Sequence, residues 1–332
     1  MTSSPITLDG RGSRIGQPEY DALLAEVTQW VRGPGERWAE RIEQTGTVSP
    51  ELFGELKSRG YLSMAAPVEL GGRGLAFSQW MGLMEVFSRS HASIRMLVHV
   101  LNGTWRAINP HVTDEQRERF VRPMVAGDTL VAFTLTEPDN GSGADLTCTV
   151  RREGDMYLLN GRKHLITFGV TCDYWLLFAR LEGTAGKDGV VALLVDRHAP
   201  GADVEDTSHT MGVHGTDHAT LTFVDTPVPV AQRLGDEGDG LKIALGGFLT
   251  PSRISVAMSL RRAGRTGSGA RRRLRVLAGH VRQADRRSAG DLVHDRRERG
   301  RHPGRQAGSR CTRPANGSGM RPRRPRCRRW RR

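Results

Sequence analysis

The sequence predicts an α+β protein: an N-terminal all-α domain, a middle β-barrel or sandwich, the remnant of a C-terminal helical bundle, and a disordered Arg-rich tail. Three observations lead there. Apolar residues recur at helical spacing through roughly the first 130 positions, the pattern shortens to strand-like runs from about Val131, and the composition breaks near Leu260. The boundaries read from these changes are 1–130, 131–235, 236–262 and 263–332.

In the first segment, Ser49-Pro50-Glu51 places an N-cap, a proline at the first helical position and an acid in the first turn ahead of the Leu52, Phe53 and Leu56 stripe. Phe77, Trp80, Met81, Met84 and Phe87 recur at helical spacing and are expected in the core. Thr113 and Gln116 form a capping box before Phe120 and Val121. Between these helices, Ala66 to Gly74 is a turn-rich connection. In the second segment the expected strands are Val131–Leu135, Met156–Leu159, Lys163–Thr167, Tyr174–Arg180, Val190–Val195 and Ala219–Val224, with Asn160-Gly161 expected to turn a hairpin. Past Pro227 and Pro229 the chain turns helical, with Leu241, Ala244, Leu245 and Phe248, then Ile254, Ala257 and Met258, expected on one apolar stripe.

The tail accounts for the charge. Residues 261–332 hold 25 Arg, no Lys and 4 acids, a charge of +21 in a chain of net +13, so residues 1–260 carry −8. One reading is a basic tail that binds nucleic acid non-specifically through phosphate neutralisation. The other is a reading-frame error in GC-rich DNA, which yields Arg, Gly, Ala and Pro in bulk. Back-translating Leu274 to Leu292 and reading one base later permits Y-A-S-S-R-D-T-F-G-K-P-I-G-E-A-Q-A-I, and continuing through Arg305 permits S-F-M-I-A-E-S-E-V-D-I-Q-A. The length and amphipathic helical pattern of that string favour the frameshift. No run reaches membrane-spanning length and no apolar leader follows the start, so a cytoplasmic protein without a membrane anchor is expected. Cysteines 148, 172, 311 and 327 lack a C-x-x-C pair, which leaves free thiols rather than a disulfide framework or a zinc site.

Chemistry concentrates in three loops. Phe133 to Ser142 ends a strand in a glycine-containing loop able to offer N–H groups and hydroxyls to a polar ligand. Asn160 to Thr167 follows, and then Leu234-Gly235-Asp236-Glu237-Gly238-Asp239-Gly240. With Val228-Pro229 between them, these pieces occur in the order and at the spacing of the acyl-CoA dehydrogenase family, which the chain resembles from about Leu52 to about Leu260.

The resemblance implies a FAD-dependent oxidoreductase of fatty acid metabolism. It would perform α,β-dehydrogenation of an acyl-CoA thioester, pass electrons to an electron-transfer flavoprotein, and assemble as a homo-oligomer that this chain would have lost. It further implies that Phe133, Leu135 and Thr136 line the flavin ring and that Thr167 donates near flavin N5, with Leu165 and Ile166 beside it. Ser142 would meet the pyrophosphate or pantetheine portion, and Thr250, Ser252 and Arg253 would face the thioester. For Thr136 and Thr167 the competing explanation is plain β-propensity.

Departures from the family are equally informative. Leu165 replaces an aromatic beside the flavin, and Gly143 stands where Asp follows the Gly-Ser pair. Glu137 is expected to be structural. The family's general base, a Glu of the C-terminal helical domain, is missing: one of its known positions is occupied by Ser252. The R-x-x-F-G box that contacts FAD across subunits survives in the shifted frame alone. The chain is therefore expected to be inactive as written. A flavin-dependent oxidase or monooxygenase of the same superfamily is the alternative within the fold.

Overall fold

A computed structural model describes residues 15–141, 145–208 and 210–258; the Arg-rich tail lies outside the described residues. Helices come first: α1 (Gln17–Arg32), α2 (Pro34–Thr45), α3 (Pro50–Ser58), α4 (Phe77–Phe87), α5 (Ala92–Ile108), α6 (Asp114–Gln116), a π segment over Arg117–Val121, and α7 (Arg122–Ala126). The local start signals act as their chemistry dictates. Ser49 Oγ accepts from the Leu52 amide at 3.4 Å, and Thr113 and Gln116 exchange side-chain-to-backbone bonds at 3.2 and 3.0 Å. Trp80, Met81, Met84 and Phe87 are buried, as their spacing predicts, with Phe77 half-buried beside them. α5 is covered on nearly every side, because the other helices, the sheet and the last helix all pack around it.

The middle segment is one sheet of eight strands: β1 (Val131–Thr134), β2 (Thr149–Glu153), β3 (Met156–Thr167), β4 (Tyr174–Leu181), β5 (Val190–Asp196), β6 (Ala202–Asp206), β7 (His218–Pro229) and β8 (Arg233–Leu234). Its order is β6-β7-β3-β2-β4-β5-β8, and β1 pairs in parallel with the first half of β4. The path ends at β6 on one side and β8 on the other, so the sheet is not the closed barrel that the sequence admits. β4 and β5 read as unbroken apolar runs because both of their faces are covered. Trp175, Leu177, Ala179, Val191, Leu193 and Val195 enter a core inside the sheet's curve, while Leu176, Phe178, Val190, Ala192 and Leu194 join the helical core. β2 and β6 escape the apolar pattern because their sequences, Thr-Val-Arg-Arg-Glu and Ala-Asp-Val-Glu-Asp, belong to strands with one solvent-facing side.

The expected Asn160-Gly161 hairpin does not form. β3 runs through these residues, and the two-residue turn lies earlier, at Gly154-Asp155, between the paired Glu153 and Met156. At Asn160 the register with β7 shifts by one residue. Asn160 Nδ2 donates to Asp225 Oδ1, the Asp225 amide donates to Asn160 Oδ1, both at 2.9 Å, and Asp225 has a φ of 43°. Gly161, with a φ of 130°, lets β3 pass the backbone of Cys148, where a Cβ would come within 2.7 Å of the Cys148 Cα. The Asn-Gly pair thus serves a β-bulge rather than a turn; both need a backbone that L side chains avoid.

After β8 the chain forms α8 (Gly240–Lys242), a π segment over Ile243–Leu249, and further helix to residue 258. Leu241, Ala244 and Phe248 are buried as expected, and the buried line continues through Pro251 and Ser255. Leu245, Ile254 and Ala257 leave the predicted stripe and are exposed: Pro251 and Ser255, three and seven residues after Phe248, keep the buried face, and Ile254 and Ala257, six and nine after it, fall off that face. Among the described residues no helix is long and apolar enough to cross a membrane.

Gly161→Ala should destabilise the protein by about 2–4 kcal/mol, combining a strained φ with overpacking against Cys148. Urea unfolding measures it, and a loss below about 0.5 kcal/mol, the scale of an ordinary surface change, would show that the bulge is not held as described.

Candidate functional site

Two of the three sequence motifs meet at one point, where the strand-end of β1 runs beside the second half of β3. The His164 amide donates to the Thr136 carbonyl at 2.9 Å, which brackets Leu135–Thr136 against Leu165–Thr167. Beneath this contact lies a fully buried ion pair. Lys163 Nζ donates to Glu137 Oε1 at 2.9 Å and to the Leu135 carbonyl at 3.1 Å. The other lone pairs of Glu137 accept from the Thr147 amide and hydroxyl, both at 2.7 Å, and from the Cys148 amide at 3.0 Å. Burial by itself would raise the Glu137 carboxyl, but the Lys163 charge and the Thr147 and Cys148 donors hold it below the usual carboxylate range. Glu137 is thus an ionised brace with its oxygens committed, and it is not available as a base. The sequence predicts a structural role for Glu137, and these contacts supply it.

Above the brace, the chain after β1 closes on itself. Glu137 and Gly141 exchange two backbone hydrogen bonds at 2.7 and 3.1 Å, and Gly141 has a φ of 60°. Ser142, expected to touch the cofactor and substrate, lies outside the described residues. On the β3 side, a second bulge between Lys163 and Ile166 puts Leu165 at a φ of 54° and leaves it 50% exposed. A bulky side chain in the left-handed region is a stored strain of about 1–3 kcal/mol, and such strain collects at functional positions. Ile166 turns its side chain into the core inside the sheet, leaving its backbone to the site. Thr136 and Thr167 are half-buried, and their hydroxyls make no hydrogen bond to any described residue. Two uncommitted hydroxyls flanking a strained, exposed strand suit a planar ligand with ring heteroatoms along one edge, and a flavin has that shape and donor pattern.

The remaining expected residues fall on the last helix and on β1 or just after it. Leu135 is buried. Phe133 is half-buried, with its ring stacked on Phe248 at 4.4 Å and tilted against Phe178 at 5.1 Å. Phe133 therefore joins the sheet to the last helix in this structure. Thr250 and Arg253 are exposed, whereas Ser252 is half-buried with its hydroxyl 3.0 Å from His99 Nε2. Sequence reasoning missed the α5 residues opposite Ser252: His99, fully buried, and Arg95, buried one turn earlier. A signal existed, since Arg95, His99 and Asn102 follow helical spacing within an apolar helix. Among the described residues no group of His, Cys, Asp and Glu could hold a metal ion. Cys148 and Cys172 are free and buried, and burial raises their thiols to about 11 and about 12, which makes them unreactive core residues.

Comparison with known proteins identifies the arrangement. The sequence model of the acyl-CoA dehydrogenase N-terminal domain matches residues 17–128, and that of the acyl-CoA dehydrogenase middle domain matches residues 132–226. An acyl-CoA dehydrogenase of Bacillus subtilis (strain 168) is 32% identical over 225 residues, which cover 66% of this chain and 58% of that protein. The mitochondrial short-chain specific acyl-CoA dehydrogenase of Homo sapiens is 35% identical over 200 residues, covering 60% of this chain and 48% of that one. The crystal structure of acyl-CoA dehydrogenase from Geobacillus kaustophilus superposes with a TM-score of 0.69 at 25% identity, covering 76% of this chain and 67% of that chain. The chain thus spans 48–58% of the length of these two curated relatives.

Lys163→Met should destabilise the fold by about 3–5 kcal/mol at neutral pH, because it leaves Glu137 buried and ionised without its partner. The depressed Glu137 ionisation stabilises the wild type above the usual carboxylate range, and that increment disappears as pH falls through it. The difference between variant and wild type should therefore shrink toward pH 3, where the orphaned carboxyl is protonated. Urea melts across the acid range check this, and a difference that stays constant with pH would rule out Glu137 as its source.

Proposed function

Since the chain belongs to the acyl-CoA dehydrogenase family, we propose that its described residues form the flavin-ring end of a FAD site for α,β-dehydrogenation of acyl-CoA thioesters, and that the chain as written lacks the group that removes the α proton. The observation that carries this reading is the convergence of Thr136 and Thr167, two half-buried hydroxyls without protein partners, on either side of the strained Leu165, all held by the buried Lys163–Glu137 brace. FAD, when bound, accepts the β hydride at N5, and an electron-transfer flavoprotein is the expected acceptor of its electrons.

The residues' own parts are those the family resemblance assigns. Thr136 offers a hydroxyl to the pyrimidine side of the ring, and Thr167 offers one near N5. The 137–141 turn presents backbone to the cofactor, and Ser142 is the residue that the resemblance assigns to the pyrophosphate or pantetheine. Leu165 covers the ring less completely than an aromatic side chain, so solvent has readier access. On the last helix, Thr250, Ser252 and Arg253 line the thioester side. Removing an α proton needs a positioned group of suitable pKa. Ser252 stands where some members place a Glu, and its hydroxyl is engaged with His99.

The missing base is best explained by the frameshift. Segment 236–262 is then the start of a C-terminal helical domain whose continuation, with its F-G-K-P-I string, lies in the shifted frame. The last helix fits that reading, since Leu245, Ile254 and Val256 are exposed apolar residues on a helix whose opposite side is packed in the core. Resequencing codons 255 to 275 should find an inserted or deleted base.

Flavin and reaction should separate. The chain as written should bind FAD weakly, since the pyrophosphate and adenine end depends on the untranslated R-x-x-F-G box, and anaerobic mixing with acyl-CoAs should leave the flavin band unbleached. The frame-restored protein should bleach faster by a factor of about 10² to 10⁴, the usual contribution of a general base. Its Thr167→Val variant should bleach more slowly. Rapid bleaching of the unrestored chain would overturn the assignment of a missing base.

A further inference from the structure

The second bulge of β3 decides which side chains share a face of the sheet. Along a regular strand, residues three apart point to opposite faces. Lys163 and Ile166 are both buried on the inner face all the same, paired with Leu221 and Ala219 of β7, which belong to the core inside the sheet's curve. The bulge makes this possible by setting His164 and Leu165 together against Thr220 alone. His164, Leu165 and Thr167 are thereby left to the outer face, next to one another. The His164 amide also donates to the Thr136 carbonyl, so this histidine stands within the bracket of Thr136 and Thr167, beside the strained Leu165.

His164 is held there as an oriented ring. Its Nδ1 lies 2.8 Å from the hydroxyl of the buried Thr220. A hydroxyl accepts from an imidazolium and donates to a neutral imidazole, so the contact fixes the ring in either charge state. Nε2 makes no hydrogen bond to any described residue, and the side chain is half-buried. The charged groups around it are mixed. Arg162 precedes it by two residues on the same outer face, and Lys163 turns inward to Glu137. On β7, His218 lies two residues from Thr220, and on β6 the exposed Glu205 is paired with Thr220 in register. Glu205 favours a charged imidazole and Arg162 opposes it. A bulge needs no titratable ring, whereas an oriented imidazole with one nitrogen free is the arrangement that exchanges a proton beside a ligand.

Resting on the flavin-site reading above, we propose that His164, oriented by Thr220, is the charge partner of the flavin ring and holds the proton that balances the negative charge the ring gains on reduction. A hydride carries two electrons and one proton to a neutral ring and leaves it a monoanion. The imidazole takes its own proton from solvent, and the resulting cation beside the ring disfavours a second protonation of the anion. Thr220 is a positioning residue that acts through His164. Neither replaces the absent α-proton base, since both serve the cofactor side.

Lumiflavin carries the ring system without pyrophosphate or adenine, so its binding to the full 332-residue chain depends on the ring end alone. With the chain in excess, lumiflavin is reduced anaerobically by dithionite, and the absorbance of the reduced ring is followed as pH falls, against free reduced lumiflavin in the same buffers. The bound ring should stay anionic to at least ~1 pH unit below the free ring, the size of effect an adjacent opposite charge produces. His164→Gln should lose most of that displacement, His164→Lys should keep it, and Thr220→Val should lose part of it. Affinity of all three variants for oxidised lumiflavin should change by less than ~3-fold, which separates lost charge from a collapsed site. A bound ring that titrates like the free one in the wild type, or a displacement that survives His164→Gln, would overturn the proposal while leaving the flavin reading intact. Failure of the wild-type chain to quench the fluorescence of either oxidised lumiflavin or oxidised FAD would instead remove the flavin reading for this chain, and the proposal with it.

Discussion

The buried Lys163–Glu137 pair is the constraint on which the rest of the site depends. Bringing two charges out of water costs several kcal/mol for each ion, on the order given for protein interiors, and their mutual attraction offsets this only when the remaining lone pairs and protons are also satisfied. Here they are: Glu137 accepts from Thr147 twice and from Cys148, and Lys163 reaches the Leu135 carbonyl as well. The network ties the loop after β1, the approach to β2 and the bulge of β3 into one unit. Each piece alone would be a mobile turn or a slipping strand. Joined through the brace, they place Thr136 and Thr167 at fixed positions with their hydroxyls uncommitted.

The same strands also reach the helical domains. β1 presents Phe133 to Phe248, and Phe248 packs against Gly103 of α5. The Phe133–Phe248 stack therefore links the Thr136–Thr167 surface to the packing of α5 against the last helix.

Much of this was legible in the chain itself, and the failures are instructive. Caps at Ser49 and Thr113 are local hydrogen-bonding signals, decided within four residues, and they hold in the fold. The T-E-P and N-G-x-K motifs also come together as their family spacing implies. Asn160-Gly161 misled because a bulge and a two-residue turn demand the same backbone freedom, and only the long-range pairing with Asp225 decides between them. Ile254 departs from the expected stripe because the buried face after Phe248 runs through Pro251 and Ser255 at ordinary helical spacing, and small or polar residues on a buried face carry no apolar mark. Closure of the sheet depends on whether β6 and β8 meet, which no strand pattern reveals. Arg95 and His99 went unread because polar residues in an apolar helix acquire meaning only from what packs against them.

Residue-resolved amide exchange on wild type and Lys163→Met tests the central claim most directly. The Thr147 and Cys148 amides donate to Glu137, and the His164 amide donates to Thr136. If the ion pair is the brace, these three amides should exchange markedly faster in the variant, while amides in the middle of α5 keep their wild-type rates under conditions where both proteins remain folded. Unchanged exchange at Thr147, Cys148 and His164, or an equal acceleration throughout the chain, would contradict the account.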